Sequence, residues 1–421
     1  MTNLSFMAIM RYIAIGFVVV SLGALAGWYL YLRKQGISIT EVAVGRGFSD
    51  IIPSFNGLGG STYQNIVAQA VDQVVGFVAN RESPQPMNKL WHVDHTPVAG
   101  MGFVLGTTSS TTLSYAQQAT GHIFTADPYS RIVERRTNIL VPKTYRALFA
   151  YDGSFVLQAI GEDGVVRTIA GTPSASSTTD NASSTPKLGR DMPPNLRSIA
   201  FDPVSRTLFW ITSDLKGGVV GASVPWGAAT GTRLFSSSVG GWRLIVEKGR
   251  YMATIAPEDG IPGYAYEITK QGVWVPILRN IPGLSFLPSE DPSVYTYSVS
   301  DGASVSLYLT SSASSTPQKL PMGTVADKCA WTPGSSRMMY CAVPEKPPTG
   351  PFLGPWYRGT IHTEDAWWEV DAATGDAQEI YSMLDANDAA IDVVNPTVDP
   401  SGNFISFQDA KDSSLWVLRI H

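Results

Sequence analysis

The chain has 421 residues, a net charge of −5 and only 15% charged residues. This acidic balance argues against a nucleic-acid-binding protein, which needs a basic surface, and the 44% of hydrophobic residues argues against global disorder. Two cysteines are too few for a disulfide-dense scaffold or for a four-cysteine zinc module.

Residues 1–34 form the first predicted region, a membrane anchor. Tyr12–Leu32 contain no charged residue and are long enough, as a helix, to cross about 30 Å of hydrocarbon. Trp28 and Tyr29 lie near one end, where an aromatic belt is expected. The alternative is a signal peptide cleaved after Ala24–Ala26, but that cut would leave the aromatic residues exposed at the new N-terminus. We therefore predict one transmembrane helix, through which residues 12–32 contact the membrane.

Residues 35–86 are predicted to be a tether with little strand-forming sequence. Within it, Tyr63–Asn80 carry apolar residues at a spacing of about four, which predicts a short amphipathic helix. Such a helix packs either on the following domain or on a partner. Ser83–Pro86 then have the composition of a stiff linker.

Residues 87–421 contain short apolar runs broken by turns, with no long helical period, so this region is predicted to be all-β. A hairpin pattern with a proline in its turn recurs, for example in Ile199–Ile211 and Cys329–Cys341, and Pro288 and Pro333 are 45 residues apart. Dividing this region by seven gives about 48 residues per unit, the size of a propeller blade. We predict a seven-bladed β-propeller, with six or eight blades possible and two β-sandwiches in series as the alternative class.

The last apolar run, Ser414–Ile420, almost reaches the final residue. A terminal strand of this kind is prone to aggregate unless it pairs with another strand. A four-stranded blade also has two apolar faces, which only neighbouring blades can bury. We therefore expect a strand from the start of the domain to complete the last blade and close the ring.

The turns of Ala330–Ser336 (AWTPGSS) and Val398–Phe407 (VDPSGNFISF) resemble those of the WD40-like, TolB-type β-propeller family. The other copies are degenerate, and the chain has no Trp-Asp dipeptide. The layout of an anchor followed by a propeller is similar to that of surface proteins of small-genome bacteria. The resemblance implies the fold, but not the function, because the family contains binding scaffolds and a minority of enzymes.

Cys329 and Cys341 lie on either side of the turn Thr332–Ser336, which places them opposite each other in the hairpin. Directly opposed residues are close enough for a disulfide, and disulfides persist in oxidising compartments. The alternative is two free buried thiols in a cytosolic protein. Charges beside the span slightly favour the C-terminal side facing the cytoplasm, but the cysteine pair is the stronger argument. We predict a propeller outside the cytoplasm, periplasmic or on the cell surface.

No nucleophile elbow, phosphate-binding loop or calcium loop is present, and we predict neither a catalytic residue nor a cofactor. His92 and His95 form the only histidine cluster; as strand residues three apart they would point to opposite faces, so no metal site is predicted. The acidic pairs Glu162–Asp163 and Glu290–Asp291 are interpreted as ordinary turn residues.

An insertion at Val343–Trp356 interrupts the repeat and offers two binding candidates, Trp356 and the adjoining Tyr357, which would project from the rim. A loop folded back on the ring is the alternative. The sequence thus predicts a membrane-tethered, extracytoplasmic β-propeller that binds a protein or an envelope polymer and is not an enzyme. The second hypothesis is an envelope glycan hydrolase or lyase, which would need carboxylates or a histidine converging on the central channel.

Overall fold

The computed structural model describes residues 88–105, 111–138, 140–172, 192–214, 217–226, 228, 231–311, 314–383 and 390–421. The predicted span at 12–32, the amphipathic helix at 63–80 and the domain boundaries at 34 and 86 lie outside these residues. Among the described residues, no helix has the length and apolar character needed to cross a membrane.

Seven antiparallel sheets make up the described part of the chain. We call them blades 1 to 7 and give their strands from the ring axis outward. The first strand of the described residues, β1 (Leu90–Asp94), belongs to blade 7. The first three blades contain β2 (Val98–Leu105), β3 (Thr111–Gln117), β4 (Ile123–Ala126) and β5 (Val133–Arg135); β6 (Thr144–Phe149), β7 (Phe155–Ile160) and β8 (Val166–Gly171); and β9 (Ser198–Phe201), β10 (Thr207–Ser213), β11 (Val219–Pro225) and β12 (Thr232–Ser237).

Blades 4 to 7 follow the same outward order, and a short 3-10 helix, Ala326–Lys328, leads into blade 6. One α-helix, α1 (Leu353–Tyr357), lies between two strands of that blade. The strands are β13 (Trp242–Glu247), β14 (Arg250–Ile255), β15 (Pro262–Ile268) and β16 (Trp274–Pro282); β17 (Ser285–Pro288), β18 (Tyr295–Ser300), β19 (Val305–Ser311) and β20 (Ser314–Lys319); β21 (Cys329–Trp331), β22 (Met338–Pro344), β23 (Asp365–Asp371) and β24 (Asp376–Ser382); and β25 (Val393–Val398), β26 (Phe404–Asp409) and β27 (Leu415–Arg419).

The hydrophobic core is a ring of seven clusters, each lying between two adjacent blades. Between blades 7 and 1, for instance, Phe404 and Val417 pack with Phe103 and Leu113. Seven interfaces between seven sheets leave no sheet face open, so the ring is closed. The predicted seven-bladed, all-β propeller is confirmed.

Strand β1 closes the ring by pairing antiparallel with β27, where Leu90 lies opposite Leu418 and His92 opposite Trp416. The last blade is therefore completed by the start of the domain, as the apolar C-terminal run predicted. The pairing satisfies the backbone N–H and C=O groups along the edge of β27, which would otherwise be free to pair with another chain.

Blade 2 differs from the others because it has three strands among the described residues. Part of the outer edge of β8 is covered instead by an irregular segment, in which the amides of Met192 and Asn195 donate to the carbonyls of Thr168 and Val166. The four-stranded pattern expected from the repeat therefore describes six of the seven blades.

The hairpin β21–β22 has the register that its turn predicted, with Cys329 opposite Cys341 and Trp331 opposite Met339. The two cysteines form a disulfide, and their Cα atoms are 4.0 Å apart. Both are buried against the neighbouring blade. The bond therefore lies next to the ring axis, in the innermost hairpin of blade 6.

Candidate functional site

The innermost strands of all blades begin at one face of the ring, which we call the strand-start face, and end at the other, the strand-end face. The insertion between β22 and β23, residues 345–364, lies over the strand-start face. Its helix α1 begins beside Asp259 of blade 4, whose Oδ2 accepts hydrogen bonds from the amides of Phe352 and Leu353, each at 2.8 Å. A loop of blade 6 is thus fastened to blade 4.

Trp356, one of the two predicted binding residues, is buried within this insertion. Its Nε1–H donates to the carboxylate of Asp392, at 3.0 and 3.1 Å from the two oxygens, and its ring stacks near Phe352. Asp392 directly precedes β25, the innermost strand of blade 7. Trp356 therefore anchors the insertion to the ring.

A buried ammonium group joins the same network. The Lys328 side chain is 0% exposed, and its Nζ donates to Asp392 Oδ1 at 2.6 Å, to Asp365 Oδ2 at 2.5 Å and to Thr363 Oγ1 at 2.7 Å. Burial opposes the ionisation of Asp392, but Lys328 and the hydrogen bonds around it hold its pKa below the usual value. Burial raises the pKa of Asp365 in spite of its contact with Lys328. The attraction between these opposite charges offsets the cost of burying them. Removing one charge alone would therefore leave the others buried without compensation.

Asp392 also orients a histidine that lines a cleft. The Nδ1 atom of His362 lies 3.0 Å from Asp392 Oδ2, so the opposite edge of the ring, with Nε2, is the edge that remains accessible. The cleft has a volume of about 330 Å³. Its lining mixes apolar side chains, such as Phe352 and Ile361, with the charged side chains Lys346 and Glu364. A mixture of this kind suits an amphipathic ligand.

Tyr357, the second predicted binding residue, is 37% exposed on the strand-start face. Its hydroxyl donates to Asp327 Oδ2 at 2.8 Å, and the same oxygen accepts from Arg243 at 2.7 Å. Ser285 donates to the other oxygen of this carboxylate. Burial disfavours a charged Asp327, but the adjacent Arg243 keeps its pKa below the usual value. Tyr357 thus helps to hold the insertion and still presents part of its ring to solvent.

A second cavity of about 200 Å³ lies at the strand-end face, between the ends of the innermost strands. Its lining includes three carboxylates and two aromatic side chains: Asp202, Glu247, Glu290, Tyr151 and Trp331. Asp202 accepts hydrogen bonds from three turn amides, and Glu290 pairs with the ammonium of Lys248.

The Glu247 carboxylate differs from the other acids of this cavity, because it has no hydrogen bond or ion pair with any described residue. Burial, followed by the neighbouring carboxylates of Glu290 and Asp202, raises its pKa to about 7. Burial, followed by the carboxylates of Glu247, Glu290 and Asp202, raises the pKa of Tyr151 to about 12. The interpretation of Glu290 as an ordinary turn residue is therefore incomplete, because ring closure brings it to the channel.

The structure corrects the expected orientation of the two histidines. The pairing of β1 with β27 slips between His92 and Asp94, so His92 and His95 do not point to opposite faces. Their ring centroids are 3.7 Å apart, and His92 also stacks on Trp416. Among the described residues, no group of three or more potential ligands is placed to hold a metal ion.

Sequence reasoning found the insertion but missed the residues that hold it in place. Lys328 meets Asp365 and Asp392, which are 37 and 64 residues away along the chain. No local motif links residues at such separations. The one available signal is that a lysine directly precedes the apolar strand Cys329–Trp331, where a buried position is expected.

No family model and no curated protein matches this chain. Among solved structures, it is similar to the Cps50 (Swd1) β-propeller domain of Myceliophteria thermophila over 79% of this chain and 100% of that one, with 7% identity and a TM-score of 0.49. It is similar to the Pan2 WD40 domain of Neurospora crassa over 80% and 92%, with 11% identity and a TM-score of 0.47. For virginiamycin B lyase from Staphylococcus aureus the values are 77%, 96%, 10% and 0.43. These likenesses are too distant to assign a function, so the architecture rests on the seven sheets themselves.

Proposed function

We propose that this chain is a membrane-tethered, extracytoplasmic β-propeller that binds a protein or an envelope polymer at its strand-start face. The observation that carries the proposal is the insertion 345–364, which is fixed to the ring by the buried Lys328 network and forms the 330 Å³ cleft. It supplies two recognition features, the cleft and the partly exposed ring of Tyr357.

The packing of the blades does not explain this insertion. The seven interblade clusters form a complete ring, whereas Phe352, Leu353 and Trp356 belong to an eighth cluster, in which they pack on Val305 and Val325 of the ring. A buried ion network carries a large desolvation penalty and adds little net stability compared with apolar packing. We infer that the network is retained because it holds the insertion in one shape, as a preformed binding surface requires.

Two features support the placement outside the cytoplasm. The apolar segment 12–32 has the length and composition of a membrane span. The disulfide between Cys329 and Cys341 is of a kind that persists in oxidising compartments. Alkylation of thiols in intact cells tests this placement. A propeller outside the cytoplasm keeps both cysteines in the disulfide, where they cannot be alkylated, whereas a cytosolic one contains two free thiols that can.

A crosslinking experiment with the full chain tests the binding function. Ile361 lines the cleft and is 38% exposed, so Ile361→Asp changes the surface without disturbing the core. Val273→Asp is the matched control, because Val273 is 57% exposed in the turn that joins β15 to β16. We expect the cleft variant to lose a crosslinked partner that the wild type and the control retain. Identical crosslinks in all three proteins would contradict the proposal.

One observation favours the alternative, an envelope glycan hydrolase or lyase. Glu247, with a pKa raised to about 7, has the property expected of a general acid and lies in a cavity with two further carboxylates. Glycan turnover that the wild type performs and Glu247→Gln abolishes would favour this enzyme. Absence of turnover, together with partner capture, would favour the binding function.

A further inference from the structure

The outer rim between blades 7 and 1 carries basic side chains that the acidic chain as a whole would not suggest. Five of them lie around β1 and β5: Lys89, Arg131, Arg135, Arg136 and Arg419. We call this set, together with the apolar residues described next, the rim patch.

Apolar side chains are exposed within the same patch. Ile132 is 58% exposed and Val133 is 39% exposed, although both have the β-branched side chains that usually lie inside a sheet. Tyr129, in the preceding turn, is 49% exposed and packs edge-on against Phe404 of blade 7. The patch thus combines positive charge with exposed apolar surface, which is the composition of protein surfaces that lie on lipid headgroups.

Hydrogen bonds of the rim join the turn before β5 to the start of β1 and the end of β27. Arg131 donates from its guanidinium to the carbonyl of Asn88, and the amide of Arg419 donates to the carbonyl of Lys89 at 2.8 Å. Arg131 and Arg419 also line one shallow groove with Tyr129. Arg135 is exposed and is the last residue of β5.

Little negative charge neutralises the patch. Glu134 pairs with Arg136 at 3.5 Å, and both side chains are more than half exposed. Asp127 accepts hydrogen bonds from the amides of its own turn. Among the described residues, no carboxylate forms an ion pair with Arg135. Asp94, the last residue of β1, is a third carboxylate and accepts hydrogen bonds from neutral groups. Five basic side chains therefore face three carboxylates, which leaves the rim with a net positive charge.

The position of the patch along the chain indicates its partner. The described residues begin at Asn88, within the patch, and the predicted membrane span ends at Leu32 of the same chain. The chain therefore enters the described part of the ring at this positive rim. An anionic bilayer matches this surface both in charge and in its tolerance of exposed apolar side chains.

We propose that the rim patch docks the propeller onto an anionic lipid surface, so that the ring is held against the bilayer at the rim between blades 7 and 1. This inference rests on the membrane anchor of the proposed function and adds an orientation to it. Lipid headgroups supply the negative charge, and Ile132 and Val133 enter the interfacial layer.

An environment-sensitive dye on the full chain tests the docking. Both native cysteines are in the disulfide, so a cysteine introduced as Ile132→Cys is the only free thiol for labelling. Ile261→Cys is the matched control, because Ile261 is also 58% exposed but belongs to blade 4, far around the ring. The chain is reconstituted in nanodiscs of phosphatidylcholine, with or without phosphatidylglycerol.

We expect the dye at position 132 to report an apolar environment only in the anionic discs, and the dye at 261 to remain in water in both. The effect should vanish at 1 M salt, where the Debye length falls from about 10 Å at 0.1 M to about 3 Å. Arg135→Glu should lower the ratio of docked to undocked protein by about fivefold or more, whereas Lys270→Glu should leave it unchanged.

Three results would overturn the proposal in distinguishable ways. If the chain is retained in the discs but the dye at 132 stays in water, the docking is wrong and the anchor stands. If the chain is not retained in any disc, the anchor itself is wrong, and the docking with it. If soluble polyglutamate shifts the dye as strongly as anionic discs do, the patch serves an acidic protein partner instead of a bilayer.

Discussion

Replacing Lys328 by methionine tests whether the buried network holds the insertion. The change keeps the length of the side chain but removes the ammonium group, and it leaves Asp365 and Asp392 buried without their shared partner. Removing one member of a buried ion pair costs about 3–5 kcal/mol, because the remaining charge stays desolvated. We expect a loss of this size in the free energy that keeps the insertion folded.

Hydrogen exchange measured by mass spectrometry locates the loss. If the network serves the insertion, the amides of residues 345–364 lose protection in Lys328→Met, whereas those of blades 1 to 3 do not. Such a local loss is measurable even if the ring as a whole does not unfold in two states.

The loss should also depend on pH. Without Lys328, the folded-state pKa values of Asp365 and Asp392 rise above their unfolded values of about 3.9. A raised pKa gives stability that is present at low pH and is lost as the pH increases. The variant should therefore approach the wild type at about pH 4–5 and fall behind it at pH 7. A loss below about 1 kcal/mol, or one that is equal at both pH values, would refute the reasoning. The triple variant Lys328→Met/Asp365→Asn/Asp392→Asn is the control and should recover part of the protection.

Three further predictions concern the disulfide and two side chains whose pKa values are shifted, His92 and Glu247. Replacing Cys329 and Cys341 by serine should lower the free energy of unfolding by about 3 kcal/mol, the chain-entropy value for so short a loop, and a reductant should destabilise the wild type but not the variant in urea titrations. Burial and the adjacent imidazole of His95 lower the pKa of His92. As the pH falls, the unfolded chain therefore binds a proton at His92 at a higher pH than the folded chain does. The wild type should therefore lose stability as the pH falls below about 6.5, and a flat thermal-stability profile between pH 7 and 5, or the same slope in His92→Gln, would contradict this. Because the pKa of Glu247 is raised, the wild type should lose stability as the pH rises from about 4.5 to about 7. Glu247→Gln should therefore be more stable than the wild type at pH 8 but not at pH 4. The expected difference at pH 8 is about 1–2 kcal/mol, because the partial exposure of the carboxylate reduces the effect. Equal unfolding midpoints at pH 8 would show that the carboxylate is not desolvated.

Features that depend on neighbours in the sequence were predictable. The turn of Thr332–Ser336 determines which residues of its hairpin lie opposite each other, so the pairing of Cys329 with Cys341 followed from local geometry. The apolar run at Ser414–Ile420 indicated a missing partner strand, and β1 is that partner. The spacing of the turn prolines indicated a unit of blade size, because each blade is a local, nearly repeated structure, and the length of the region then favoured seven units.

Features that depend on ring closure were not predictable. Glu290 and Glu247 lie in separate blades, and only the curvature of the ring brings them to one cavity. The slip in register after His92 has no signature in the sequence, and it reverses the expected orientation of His95. The insertion was visible as an interruption of the repeat, but Trp356 proved to be an anchor because its partner, Asp392, comes from the next blade.

The pairing of β1 with β27 also decides how the ring responds to force. Any pull on the chain before Asn88 acts first on this short strand, which hydrogen-bonds to the rest of the propeller along one edge only. Detaching it would expose the edge of β27 and remove Leu90 from the core that it shares with blades 6 and 7. In the tethered arrangement that we propose, the point of attachment is also the seam of the ring, and tension on the chain would open the propeller there before it disturbed any other blade.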